Sequence, residues 1–124
     1  MNEKKWIWFF SSSFFVLVLG LIFATFFDFF VSYSIYKTDY YQFITRESNG
    51  LVRHLFIADV NLVVIFLIVC TCLLVWILFF LYKSTLFVFK HEKGFAPLFC
   101  GFLMVGVALL GVLYHIFGAV SWFF

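Results

Sequence analysis

Hydrophobic residues in this chain form three long, continuous stretches separated by two shorter polar segments. The stretches run over Trp6–Ile35, Leu55–Tyr82 and Phe95–Phe124. Each is longer than the roughly 20 residues that a helix needs to cross the hydrocarbon core of a bilayer. None alternates between polar and apolar positions as a membrane β-strand does. The pattern therefore predicts an all-α integral membrane protein with three transmembrane helices, over about 6–35, 55–82 and 95–124.

Composition strengthens this prediction. Hydrophobic residues make up 66% of the 124 residues and charged residues only 11%, against roughly 45–50% and about 25% in soluble domains. A soluble domain of this length cannot bury so much apolar surface. We therefore expect a single transmembrane domain over residues 1–124, with lipid as its solvent.

The first polar connection, residues 36–54, is rich in tyrosine and is expected to lie along the membrane surface. Side chains of the Ser and Asn type often cap the start of a helix by accepting a backbone N–H. Ser48 or Asn49 could therefore cap a helix that begins near Gly50. We expect that helix to continue directly into the second transmembrane helix.

Lys and Arg in the short flanks predict the orientation of the chain. The amino terminus and the second connection together carry five of these residues, whereas the first connection carries three. Because an excess of Lys and Arg marks the cytoplasmic side, we expect the amino terminus inside and the carboxyl terminus outside.

Each apolar stretch contains a single residue of the Asp, Glu, His, Lys or Arg type: Asp28, Asp59 or His115. Such groups are costly in hydrocarbon and normally face protein or water. At about 1.5 Å of rise per residue, three helices of alternating direction place all three at a similar level, near the first connection. The predicted intramembrane polar cluster combines them with ionisable residues of that connection: Asp28, Asp59, His115, Glu47, Arg53 and His54.

Three roles for this cluster are open from the sequence. It could be a polar clamp that fixes the helices, a contact with the polar groups of a partner subunit, or a site for a metal, a quinone or a proton. Carboxylates and imidazoles can ligate a divalent metal, but their spacing here matches no metal motif. The cysteines at 70, 72 and 100 also lack a metal-binding spacing and are expected to be buried free thiols.

Small residues recur on one face of the first helix and on one face of the third. Such residues allow two helix backbones to approach closely in a membrane. His115 falls within the small-residue face of its helix, and Asp28 lies on the corresponding face of the first helix. The predicted packing positions are Gly20, Ala24, Gly101, Ala108, Gly111 and Gly118.

Asp28 in the first helix is followed by Glu47-Ser48-Asn49, then by Gly50 at the approach to the second helix, and by a late Tyr and His in the third. This arrangement resembles a family of small archaeal and bacterial membrane proteins of unknown function, marked by a helix-one Asp and a Glu-x-Asn-Pro segment. Gly50 replaces the usual Pro. The resemblance covers most of the chain and implies a polytopic membrane fold without a defined activity.

A second pattern comprises Asn49-Gly50, Arg53-His54-Leu55 and Asp59. It is similar to the Asn-Gly-x-Arg-His-Leu-x-x-Asp stretch of succinate dehydrogenase cytochrome b anchors, with each spacer one residue longer here. The resemblance implies an anchor subunit with a haem or quinone site. However, Arg46 stands where that family has its haem-ligating His, which argues against haem binding.

We predict a small accessory or structural subunit of a larger membrane complex, and not an enzyme, because no soluble domain or catalytic set is recognisable. The alternatives are a membrane anchor of a respiratory redox complex and a homo-oligomeric small transporter or channel. Expected partners are other integral membrane subunits and the lipid bilayer. The sequence has no glycine loop for nucleotides and no basic patch for nucleic acid, and it predicts no cofactor.

Overall fold

The computed structural model describes residues 2–47 and 49–124. Within them the chain is helical, without a strand. The helices are α1 (Glu3–Thr38), α2 (Tyr40–Arg46), α3 (Gly50–Ala58), α4 (Val60–His91) and α5 (Phe95–Val120), and a 3₁₀ turn, Ser121–Phe123, follows α5. Three of these segments, α1, α4 and Phe95–Phe123, are long and apolar enough to cross a membrane. The predicted all-α class with three such helices is confirmed.

Helix α1 extends beyond its predicted apolar stretch at both ends, and α4 begins later and ends later than its predicted stretch. At the start of α1, the Asn2 side chain accepts a hydrogen bond from the Lys5 backbone N–H at 3.0 Å. Helix α4 continues to His91 because no Gly or Pro interrupts its charged final part. The break comes at Gly94, whose φ of 90° lies in the left-handed region that favours glycine. Pro97 then lies in the first turn of α5, where its missing N–H has no helical partner to lose.

The first connection contains two short helices. Asp39 caps α2 by accepting from the Gln42 N–H at 3.0 Å, and Asn49 caps α3 by accepting from the Val52 N–H at 3.2 Å. Asn49 is thus a cap for a helix that begins at Gly50, as predicted. The alternative cap, Ser48, lies outside the described residues.

The expected continuous passage from this helix into the second membrane helix is wrong. Asp59 has an extended backbone, with φ −167° and ψ 125°, and separates α3 from α4. Its carboxylate accepts a hydrogen bond from the Asn61 N–H at 2.9 Å, which caps α4. A short Asp side chain competes well for backbone N–H groups at a helix start, so the apolar run divides here despite having no Gly or Pro.

Helix α1 packs against both α4 and α5, and buried side chains form a cluster near each end of the molecule. The cluster toward the amino-terminal end of α1 includes Phe10, Phe14, Leu78, Phe89 and Met104. Beside it, Ser11 and Tyr82 share a hydrogen bond of 3.0 Å between their hydroxyl oxygens. The cluster at the opposite end consists of Phe43, Phe56, Val63 and Trp122, so it joins the first connection to the end of the chain.

The predicted small residues lie mostly along the contact between α1 and α5. Ala24, Gly101 and Ala108 are buried. A Cβ atom placed on Gly101 would overlap the Phe10 ring, and one placed on Gly111 would lie 3.1 Å from Leu21 Cδ1. The missing side chains therefore leave room for large residues of α1, and close approach between these helices depends on them.

The expectation that the cysteines are buried is wrong. Cys70 and Cys72 are exposed on the outer surface of α4, and Cys100 is partly exposed. Their thiols are free. Cys70 and Cys72 lie in the middle of an apolar helix that is long enough to span a membrane, so contact with lipid is compatible with their exposure.

Candidate functional site

A hydrogen-bonded pair joins α1 to α5 near the end of the molecule that carries the first connection. His115 Nδ1 lies 2.8 Å from Asp28 Oδ2, a distance typical of a charge-assisted bond in which the ring N–H donates to a carboxylate. The two side chains are only 18% and 22% exposed, respectively. Gly118 makes space for the pair, since a Cβ atom there would lie 3.2 Å from both carboxylate oxygens of Asp28.

This pair lines a cavity of about 550 Å³ between α1, α4, α5 and the first connection. The cavity has a polar side and an apolar side. Helix α4 contributes mainly apolar side chains, whereas the polar groups come from α1, α5, the 3₁₀ turn and the first connection. The polar lining residues are Asp28, Ser32, Arg46, Glu47, Asn49, Tyr114, His115 and Ser121.

Glu47 enters this cavity from the segment between α2 and α3. Burial raises the pKa of its carboxyl group above the ordinary value, since the charged form loses contact with water. The Asn49 N–H, which donates to Oε1 at 3.2 Å, opposes this effect. The negative charge of Asp28 raises the pKa further, while the positive charge of Arg53 lowers it. Glu47 and Asp28 are therefore electrostatically coupled across the cavity.

Arg46 fastens the end of the chain to the first connection. Its guanidinium donates to the Ser121 carbonyl oxygen at 2.9 Å and lies 5.9 Å from the centre of the Trp122 ring. The indole N–H of Trp122 in turn donates to Ser32 Oγ at 3.3 Å. These contacts form one wall of the cavity.

The structure brings together only part of the predicted polar cluster. Asp28, His115 and Glu47 line the cavity. Arg53 acts on Glu47 through its charge, but its guanidinium donates to the Ile44 carbonyl oxygen at 3.3 Å. His54 and Asp59 are exposed and do not line the cavity. Counting residues along each helix fixes a level, but not the direction in which a side chain points.

Several lining residues were not among the predicted site residues. Ser32 follows Asp28 by one helical turn, and Tyr114 immediately precedes His115. Their positions in the sequence therefore indicated, weakly, that they lie near the Asp28–His115 pair. Arg46 and Trp122 gave no such signal, because they meet only through the fold of α2 against the chain end. In the described part of the chain, no three His, Cys, Asp or Glu side chains gather in a way that could hold a metal ion.

A second, smaller cavity of about 240 Å³ lies between α1 and α4. Its lining is almost wholly apolar, and it includes Thr25, whose hydroxyl donates to the Leu21 carbonyl oxygen at 2.8 Å. Phe29 and Leu67 line both cavities and so form a shared wall. The smaller, apolar cavity thus adjoins the larger cavity beside Asp28 and His115.

Comparisons with family models, with curated proteins and with solved structures gave no significant match to this chain. The feature of the structure that bears on function is the cavity beside Asp28 and His115. Its polar groups can hydrogen-bond and balance charge, and its apolar side can hold hydrocarbon.

Proposed function

We propose that this protein is a small membrane-embedded binding protein that holds the polar head of an amphiphilic molecule in the cavity beside Asp28 and His115. The observation that carries the proposal is the cavity itself. Its volume of about 550 Å³ lies within the roughly 300–1,000 Å³ typical of small-molecule sites. We propose binding alone, without a reaction catalysed by this chain.

The division of the cavity lining favours an amphiphile over a wholly polar or wholly apolar ligand. Asp28, His115 and Glu47 offer hydrogen bonds and charge on one side. Val63, Phe66 and Leu67 of α4 offer only apolar contact on the other. Polar groups that are removed from water need hydrogen-bond partners. A hydrocarbon chain can pack against the apolar side without leaving such groups unpaired. A molecule with a polar head and an apolar chain matches both sides.

The rim of the cavity offers a route from the bilayer. Cys70, Tyr114 and Phe117 line the cavity and are also exposed on the outer surfaces of α4 and α5. Both helices are apolar enough to span a membrane. A membrane-dissolved molecule can therefore enter sideways between them without passing through water.

The proposal is tested by titrating the protein in lipid nanodiscs with dodecyl-chain probes and counting bound probe by native mass spectrometry. We expect saturable binding of one probe per chain. The variant Cys70→Trp places bulk at the rim and should abolish it, whereas Val69→Trp, one residue away and outside both cavities, should not. Equal binding by the two variants, or no saturable binding by the unaltered protein, would contradict the proposal.

A second candidate is the accessory subunit expected from the sequence, and the open side of the same cavity favours it. Only 11% of the most hydrophobic 18-residue segment of α4 is buried within the protein. A helix of a partner subunit could lie against α4 and close the rim. Mild solubilisation of native membrane should then yield this chain with larger partners in fixed stoichiometry. Recovery of a monomer alone would exclude this candidate, and a symmetric homo-oligomer would favour a transporter or channel instead.

A further inference from the structure

We infer that the amphiphile has a cationic head of the organic ammonium class. The inference rests on the cavity binding proposed above and adds the chemical identity of the head group. Two features of the lining support it: the balance of charged side chains and the number of aromatic rings.

The charged groups of the lining leave room for one positive charge. Two carboxylates, Asp28 and Glu47, face a single lining guanidinium, that of Arg46. Arg46 is exposed and already donates to the Ser121 carbonyl oxygen. The lining carboxyl groups therefore outnumber the lining guanidinium by one. Arg53 stands outside the lining, bound to the Ile44 carbonyl oxygen.

Aromatic side chains make up a large part of the remaining wall. The negative face of an aromatic ring attracts an organic cation, and protein sites for quaternary ammonium groups are built from such rings. An anionic head would instead lie beside the carboxyl groups of Asp28 and Glu47. Six aromatic residues line the cavity: Phe29, Phe56, Phe66, Tyr114, Phe117 and Trp122.

The environment of Glu47 agrees with a cation that arrives with the ligand. Its pKa is raised by burial and by Asp28, although the Arg53 charge acts in the opposite direction. The acidic and basic side chains around Glu47 lie on four elements: Asp28 on α1, Arg46 on α2, Arg53 on α3 and His115 on α5; the α4 part of the lining contributes none. An ammonium group beside Glu47 favours the ionised carboxylate, so binding should release a proton and should tighten as the pH rises.

The test compares three dodecyl probes that differ in the head group: trimethylammonium, its neutral tert-butyl isostere, and carboxylate. A permanently charged trimethylammonium head does not titrate, so any pH dependence belongs to the protein. We expect it to bind at least about tenfold more tightly than the neutral isostere, a difference of about 1.4 kcal/mol. Affinity for the cation should increase with pH.

Glu47→Gln keeps the size of the side chain and removes its charge. We expect it to weaken trimethylammonium binding about tenfold, to remove the pH dependence and to leave the neutral isostere unaffected. Glu92→Gln, at the exposed end of α4, is the matched control and should bind as the unaltered protein does. Circular dichroism of each variant checks that it is folded.

The possible outcomes separate the inference from the proposed function. If the neutral or carboxylate probe binds as tightly as the cation, and Cys70→Trp still abolishes that binding, the ammonium inference is overturned while the proposed function stands. If no probe binds saturably, both are overturned. If Glu47→Gln still prefers the cation over the neutral isostere, the inference is also overturned, because it assigns this preference to the negative charge of Glu47.

Discussion

At the scale of single residues, the contact between Asp28 and His115 is the central feature of this protein. A carboxylate and an imidazole inside apolar helices each need a polar partner, and each finds it in the other at 2.8 Å. Because the partners lie on α1 and α5, the bond contributes both to the packing of these helices and to the wall of the cavity.

Asp28→Ala should therefore lower the free energy of unfolding by about 1–2 kcal/mol, the range expected for a polar contact between membrane helices. Asp28→Asn should cost less, because its amide oxygen can still accept from the imidazole N–H. Thermal unfolding in detergent measures both. In a His115→Ala background, Asp28→Ala should have a smaller effect, and an undiminished effect would show that the two residues are not coupled.

Glu47 should make stability depend on pH. The folded state holds its proton more tightly than the unfolded chain does. The free energy of unfolding therefore falls as the pH rises from the ordinary pKa of about 4.5 to the raised pKa of the folded state. The stabilising contribution is complete below this window and lost above it. Unfolding measured across this range should show a fall that Glu47→Gln removes and Glu92→Gln retains. If the free energy of unfolding depends on pH in the same way in the unaltered protein and in Glu47→Gln, the assignment of this pH dependence to Glu47 is contradicted.

At the scale of helices, the sequence predicted the three long helices but not the interruption between α3 and α4. An apolar run longer than the hydrocarbon core leaves a chain little choice but a helix, so the three long helices were predictable. The break at Asp59 was not, since it depends on the balance between a side-chain cap and one more backbone hydrogen bond. The Asp59 carboxylate accepts from the Asn61 N–H as the cap of α4 and does not line the cavity.

Two glycines of α5 provide a matched test of the packing between α1 and α5. Gly101→Ala puts a methyl group against the buried ring of Phe10, and we expect a loss of about 1–3 kcal/mol from overpacking. A Cβ atom placed on Gly106 would meet open space, with no neighbouring atom within 4 Å. Gly106→Ala should therefore be neutral or stabilise by up to about 1 kcal/mol through helix propensity. Equal thermal unfolding of the two variants would mean that close approach at Gly101 is unimportant.

At the scale of the whole molecule, depth counting predicted a meeting of Asp28, His115 and Glu47 at one level, but not the cavity they line. The other walls come from Arg46, Trp122 and the apolar face of α4, whose positions depend on how the first connection folds over the chain end. That fold is a tertiary property without a local sequence signal. The direction in which the chain crosses a membrane, in contrast, can be predicted from the Lys and Arg residues that flank the long helices.

We expect the amino terminus inside and the carboxyl terminus outside, because five Lys flank the inner ends of the helices and three Lys or Arg flank the outer ends. Reporters that are active on only one side of the membrane, fused to each terminus, measure this directly. A reporter inserted between Lys90 and Gly94 should match the amino terminus, since the two crossings made by α1 and α4 return the chain to the inner side. The reverse orientation would contradict the charge argument alone, whereas two termini on the same side would contradict three crossings. Either result would also move the cavity, which lies at the outer level in the expected orientation, and so change the side from which its polar end meets water.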